Sequence, residues 1–89
     1  MLEMRAGNQF RRDLRKVEKQ GRDMAKLRTL IDLLLSEQAL PVRYKDHALR
    51  GNWAGHRDAH IEPDWVLIYR VSDGLLWLYR TGSHAELFG

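Results

Sequence analysis

His60 and Asp64 flank a proline in the run His60-Ile61-Glu62-Pro63-Asp64-Trp65, and a third residue able to move a proton, His84, follows Gly82-Ser83. Cleaving RNA without a metal requires a base to take the 2′-hydroxyl proton, an acid to protonate the departing 5′-oxygen, and cations to offset the charge that builds on the phosphorane. Histidine, aspartate and arginine supply all three. His47 and His56 complete the four histidines, all in the C-terminal half, and the 89-residue chain has no cysteine. Thiol nucleophiles, thiolate zinc sites and disulfides are thereby excluded together. A basic chain with several proton-transfer groups reads first as a small nuclease or an RNA-binding module.

A metal site is the chemical rival. Three histidines and one aspartate are suitable donors, but His56 and His60 have the HxxxH separation only across a segment that reads as turn and strand, so no metal is expected. Neither a P-loop nor a dinucleotide fingerprint is present, and no cofactor is expected. Each candidate also has a plainer role. Asp64 caps a turn, Arg80 pairs with Asp58 or Asp64, and Trp53, Trp65 and Phe88 join a core rather than stack on a base.

The elements that must position these groups follow from periodicity. Phe10, Leu14 and Val17 predict a helix from Asn8 to Gln20 with Asn8 as its cap, ended by Gly21. Met24, Leu27, Ile31, Leu34 and Leu35 predict a second helix over Asp23–Glu37, capped by Asp23. The two form an αα-hairpin. Val42–Lys45 reads as a short extended piece, Asp46-His47 as a polar turn, and Ala59–Ile61 as a weak strand.

Trp65–Ser72 and Leu75–Thr81 are strong strands around the type I′ turn residues Asp73-Gly74. That turn sets Tyr69 against Leu78, Leu67 against Arg80 and Asp64 against Ser83. Leu67, Tyr69, Val71, Leu76 and Leu78 then share one face, and Val66, Ile68, Arg70, Trp77 and Tyr79 the other. The register brings Asp64 and His84 to one end of the sheet, with His60 a turn away. His47 joins them only if the 46–55 loop folds over that end. With Met1–Arg5 as a further strand, the order is β-α-α-β-β-β, a small α+β sandwich with helices on one side, in a single domain over residues 1–89.

The formal charge of +3 is uneven: residues 5–28 carry nine Arg or Lys against three acids, and residues 29–89 six against eight. Arg11, Arg12, Arg15, Lys16, Lys19 and Arg22 gather on the first helical segment, where they suit phosphates or an acidic protein partner. The first residues lack the apolar stretch of a signal peptide, and Leu30–Leu35 is too short to span a bilayer. A cytoplasmic protein without membrane attachment is expected.

Three runs carry a family resemblance: Tyr44-Lys45-Asp46-His47-Ala48-Leu49-Arg50-Gly51-Asn52-Trp53, Arg57-Asp58-Ala59-His60-Ile61-Glu62-Pro63-Asp64-Trp65-Val66-Leu67-Ile68-Tyr69-Arg70, and Arg80-Thr81-Gly82-Ser83-His84-Ala85-Glu86-Leu87-Phe88. They closely resemble YafQ-type toxins of the RelE/ParE superfamily, and the basic helical hairpin extends the likeness across the domain. Ala48 stands where such toxins often carry proline after Asp-His, a change expected to affect loop stiffness more than chemistry.

The resemblance implies a toxin of a type II toxin–antitoxin module that enters the ribosomal A site and cuts the mRNA. His47, His60, Asp64, His84 and Phe88 fall on the family's functional positions, with Trp65 beside the site. Ribosomal RNA is then the expected partner of Arg11, Arg12, Arg15, Lys16 and Lys19, with Trp65 and Arg80 adding RNA contacts. A cognate antitoxin is expected to wrap the domain. Two other classes remain open at this point: a toxin of the same fold that binds a protein target such as DNA gyrase, and a non-catalytic RNA-binding module.

Overall fold

The computed structural model describes residues 1–89 as β1 (Glu3–Ala6), α1 (Asn8–Lys19), α2 (Met24–Leu35), β2 (His47–Ala48), β3 (Arg57–Glu62), β4 (Trp65–Ser72), β5 (Leu75–Gly82) and α3 (His84–Phe88), with 3-10 turns at Val42–Tyr44 and Gly51–Trp53. The strands form one sheet in the order β1-β5-β4-β3-β2. Every neighbouring pair is antiparallel except β1 with β5. The α+β class and the core β-α-α-β-β-β order are present; β2 and α3 are additions. Val42–Tyr44 turns instead of extending. Tyr44 is driven into the core at 4% exposure, and Lys45 follows with φ 47.

Helix α1 begins on Gly7 rather than on an Asn8 cap, because the Gly7 N–H still bonds Leu78 O on β5 at 3.1 Å, continuing the strand pairing by one residue. Asp23 caps α2 as its sequence requires, accepting from Ala25 N at 3.1 Å. Both helices pack on the same sheet face. Phe10, Val17, Leu27, Leu30 and Leu34 meet Leu67, Tyr69, Leu76 and Leu78 in one cluster. Burial of each such side chain contributes roughly 1.5–3 kcal/mol. On the opposite face Val66 and Ile68 are covered by Leu87 from α3, with Leu49, Trp53 and Tyr79 around them. The division of faces matches the alternation, apart from Val71, which lies exposed.

Asp73 and Gly74 adopt φ 53 and 76, the left-handed pair that a type I′ turn needs. The pairing they start holds from Ser72–Leu75 to Tyr69–Leu78 and then slips: Ile68 faces Arg80, Leu67 faces Thr81 and Val66 faces Gly82. Tyr79 is the extra residue of a β-bulge, so Leu67 does not face Arg80 as a regular ladder would have it.

β1 covers only Leu75–Leu78, which leaves the outer edge of β5 open beyond it. Helix α1 closes that edge with a carboxylate. Asp13, 6% exposed, accepts from Thr81 N at 3.2 Å, from Arg80 Nε at 2.7 Å and Nη2 at 3.2 Å, and from Gln9 Nε2 at 3.1 Å. At the far end of α1, Lys16 Nζ lies 2.7 Å from Glu86 Oε2, and Glu86 also closes a capping box with Ser83 at the start of α3. A Cβ at Gly82 would stand 3.0 Å from Glu86 Oε1, so a side chain where β5 hands over to α3 would crowd the carboxylate of the capping box.

Replacing Asp13 with alanine leaves the half-buried Arg80 guanidinium and the Thr81 N–H unpaired. A loss of roughly 2–3 kcal/mol in urea unfolding is expected, below the range for a fully buried pair because Arg80 retains some solvent contact. The Lys16 ammonium and the Ser83 N–H hold the Glu86 carboxyl down to about 2 from 4.5. A depressed carboxyl stabilises the fold above its ordinary value and loses that contribution as pH falls through its folded value. The stability gap between wild type and Glu86→Gln should therefore stay constant above pH 4.5 and close towards pH 2.

Candidate active site

The β4–β5 bulge decides what meets at the end of the sheet. Continuing the shifted pairing past Val66–Gly82 sets Asp64 level with His84 rather than Ser83, and the contact is direct. Asp64 Oδ1 accepts from the His84 N–H at 3.1 Å and lies 3.2 Å from His84 Nδ1. The backbone N–H is the larger and the ring the smaller influence that lowers the Asp64 carboxyl below its ordinary range. Asp64 is therefore ionised at neutral pH.

Strand alternation supplies the neighbouring groups. Asp58 and His60, two apart on β3, point to the same face as Val66 and Ile68, their partners across β4. His47 on β2 stands opposite Asp58. The 46–55 segment thus does fold over this end of the sheet. It is held there by Asp46, which receives Arg57 Nη2 at 2.9 Å and Nε at 3.3 Å together with the Tyr69 hydroxyl. Burial first, and that bond to Asp46 second, push the Tyr69 hydroxyl's pKa up, so it stays protonated as the donor.

The rings form a row. Centroids lie 6.2 Å apart for His47 and His60, 5.1 Å for His60 and His84, and 6.0 Å for His84 and Phe88. Solvent reaches His47 and His84 on their open sides, and His60 is the most enclosed, with its side chain 16% exposed. The nearest protein partner of each imidazole is an acceptor at Nδ1. His47 Nδ1 donates to Lys45 O at 2.8 Å and lies 3.1 Å from Asp58 Oδ1, His60 Nδ1 is 3.8 Å from the same oxygen, and His84 Nδ1 faces Asp64. Partners that only accept require the proton at Nδ1 of His47 and His84 and leave their Nε2 for a substrate; His60 makes no hydrogen bond at Nδ1. Three rings whose Nε2 atoms are unclaimed, beside two carboxylates, can give and take protons around one phosphodiester.

His47, His60, Asp64, His84 and Phe88 are thus brought together. His56 is not: its ring packs edge-on against Trp53 and Tyr79, with Nδ1 toward Trp53 O at 3.2 Å. Two expected RNA contacts are corrected. Trp65 is fully buried and donates its indole N–H to Thr81 Oγ1 at 2.9 Å, so it presents no ring to a base. The bulge turned Thr81 inward to receive it. Arg80 binds Asp13, neither Asp58 nor Asp64, and its charge is neutralised at the α1–β5 edge.

Of the basic residues on α1, Arg11, Arg12, Arg15 and Lys19 are exposed, whereas Lys16 is engaged by Glu86. The sequence reading missed Asp58 as part of the site. It also missed the positioning role of Arg22, which reaches Asp64 O at 3.2 Å and Glu62 Oε1 at 3.4 Å while lying over the Trp65 ring at 5.4 Å.

Residues 2–89 match the family described as "Bacterial toxin of type II toxin-antitoxin system, YafQ". The mRNA interferase toxin YafQ of Escherichia coli strain K12 is 51% identical over 82 residues, which cover 91% of this chain and 89% of that protein. The crystal structure of YafQ from E. coli strain BL21(DE3) aligns with a TM-score of 0.95 at 46% identity. That of the E. coli DinJ–YafQ complex aligns at 0.93 and 47%, and both alignments cover 100% of each chain. Agreement in sequence over nearly the whole length, and in backbone over all of it, places the chain in the YafQ family of bacterial type II toxins.

Proposed function

We propose that this toxin is an endoribonuclease that cuts mRNA on the translating ribosome, by acid–base chemistry at the row of imidazoles. The observation that carries this reading is the convergence of His47, His60 and His84 with Asp64 at one end of the sheet, with His47 and His84 anchored through Nδ1 and His60 facing Asp58 through its own. A site that only gripped RNA or blocked a protein target would have no use for several oriented proton carriers. The mRNA interferase activity of the E. coli relative points the same way.

In this scheme His84 is the general acid. Asp64 is a weak base because the His84 N–H, and after it the ring, lower its affinity for a proton, and its role is to orient His84 and stabilise the imidazolium. His60 takes the 2′-hydroxyl proton at Nε2, the 2′-oxygen attacks phosphorus, and His84 protonates the leaving 5′-oxygen. His47 places a positive edge beside the phosphate, and Phe88, half exposed next to His84, offers a face for a base. The products carry a 2′,3′-cyclic or 3′-phosphate and a 5′-hydroxyl, and no step calls on a metal ion or cofactor.

The exposed cations of α1 contact ribosomal RNA phosphates. The solved complex of the relative with DinJ supports an antitoxin partner for this chain as well, acidic or amphipathic, wrapping the domain. No helix is long and apolar enough to cross a membrane.

Incubating the protein with translating ribosomes and mapping mRNA ends tests the activity directly. His84→Ala should cut roughly 100- to 10,000-fold more slowly, as loss of a general acid requires, and wild-type cleavage should persist with a chelator present. Uncut mRNA under wild-type protein, or wild-type rates from His84→Ala, would overturn the reading. Reversing the charge at Arg11, Arg12 and Arg15 should weaken ribosome binding and flatten its salt dependence by about one unit of log–log slope per lost phosphate contact. Unchanged affinity in a salt-titrated binding assay would remove α1 from the interface.

A further inference from the structure

Asp58 and Asp13 are the two buried carboxylates, and they are treated in opposite ways. Asp13 collects N–H donors from a glutamine, an arginine and the backbone. Asp58, 3% exposed and more deeply placed, receives neither an arginine nor a lysine nor a backbone N–H. Its Oδ1 is buried without a hydrogen-bond partner, and so is the His60 Nδ1 that faces it at 3.8 Å. His47 Nδ1 approaches the same oxygen at 3.1 Å while bonded to Lys45 O. An anion buried on such terms is costly, and a hydrophobic residue of similar volume would pack more favourably. The only groups placed to compensate it are imidazoles, which carry charge only when they hold a second proton.

We propose that Asp58 is the shared carboxylate partner of His47 and His60, a positioning residue that keeps both rings with Nδ1–H inward and Nε2 toward RNA and stabilises the imidazolium form of each. This deepens the reading of the site given above and rests on it. When His60 takes the 2′-hydroxyl proton, the O–H bond breaks, an Nε2–H bond forms, and the ring becomes a cation. Asp58 gains no atom; its interaction with the ring simply turns from weak to charge-assisted.

The 3.8 Å separation is therefore the resting distance of a contact that tightens during the reaction. The groups around Asp58 pull against one another: burial is the largest influence and raises its carboxyl, His47, His60 and His84 lower it, and Asp46 adds a small upward push. The carboxylate is poised to respond to protonation of the rings, whereas Asp64 is already committed to the His84 N–H.

Nitrogen-15 spectra of the imidazoles in the wild-type protein test the proposal without a substitution. At a pH where the rings are neutral, His47 and His60 should both show the Nδ1–H tautomer, whereas a free imidazole favours Nε2–H. An Nε2–H tautomer at His60 would overturn the proposal.

Asp58→Asn keeps the shape, removes the charge, and should fold at least as stably as wild type. The His60 ring should lose its preference for the Nδ1–H tautomer, and kcat on saturating ribosomes should fall on the order of 10- to 100-fold with KM unchanged. A His60 tautomer and a kcat equal to wild type would sink the role of Asp58 even if His84→Ala abolished cleavage. Conversely, cleavage that survives His84→Ala would remove the catalytic reading while the tautomer measurements still judged the contact itself.

Discussion

The register of β5 on β4 is the constraint from which the site follows. Had the ladder continued regularly from the Asp73-Gly74 turn, Asp64 would stand level with Ser83, and Thr81 would point to the wrong side of the sheet. The extra residue at Tyr79 moves everything beyond it by one place. Thr81 then lies inward, where it binds the Trp65 indole and the Val66 carbonyl, and His84 is delivered to Asp64. A single bulge thereby converts a hydrophobic hairpin into a scaffold that holds a histidine–carboxylate pair at its open end. The structural use of Trp65 and the placement of His84 are two results of the same slip.

Much of this was legible in the sequence because the signals were local. The capped second helix, the Asp-Gly turn, the alternation in Trp65–Ser72 and the charge-rich first helix all encode their own conformation. The meeting of Asp64 with His84 was legible too, one residue out of register. A bulge leaves no mark when both neighbours, here Tyr79 and Arg80, are acceptable strand residues. Asp58 was missed for a related reason: taking β3 to begin at Ala59 left Asp58 in a turn, whereas beginning it at Arg57 puts Asp58 and His60 on one face. Arg22 and Arg80 were harder still. Their partners, Asp64 O and Asp13, lie far away in sequence and come near only when α1 docks on the edge of β5.

The molecule also separates its charges by task. On α1, Asp13 faces inward and neutralises Arg80, Lys16 anchors α3, and Arg11, Arg12, Arg15 and Lys19 face water. A count of cations along the helix treats all of these alike; their surroundings divide them into cations that hold the fold and cations left exposed to solvent. Toward the other edge of the sheet, Arg57 on β3, between β2 and β4, serves the Asp46–Tyr69 network that steadies the loop bearing His47.

Helix α3 has only five residues, too few for its own backbone bonds to keep it folded. What seats it is the Ser83–Glu86 capping box, the tether from Lys16, and Leu87 inserted against Val66 and Ile68. Fraying of so small a unit is far less costly than unfolding the domain, so the meeting of His84 with Asp64 is an equilibrium, and under the proposed chemistry the docked fraction scales turnover. Under the proposed function, ionic strength then acts twice, once by screening α1 from RNA and again by loosening the tether that holds His84 beside Asp64.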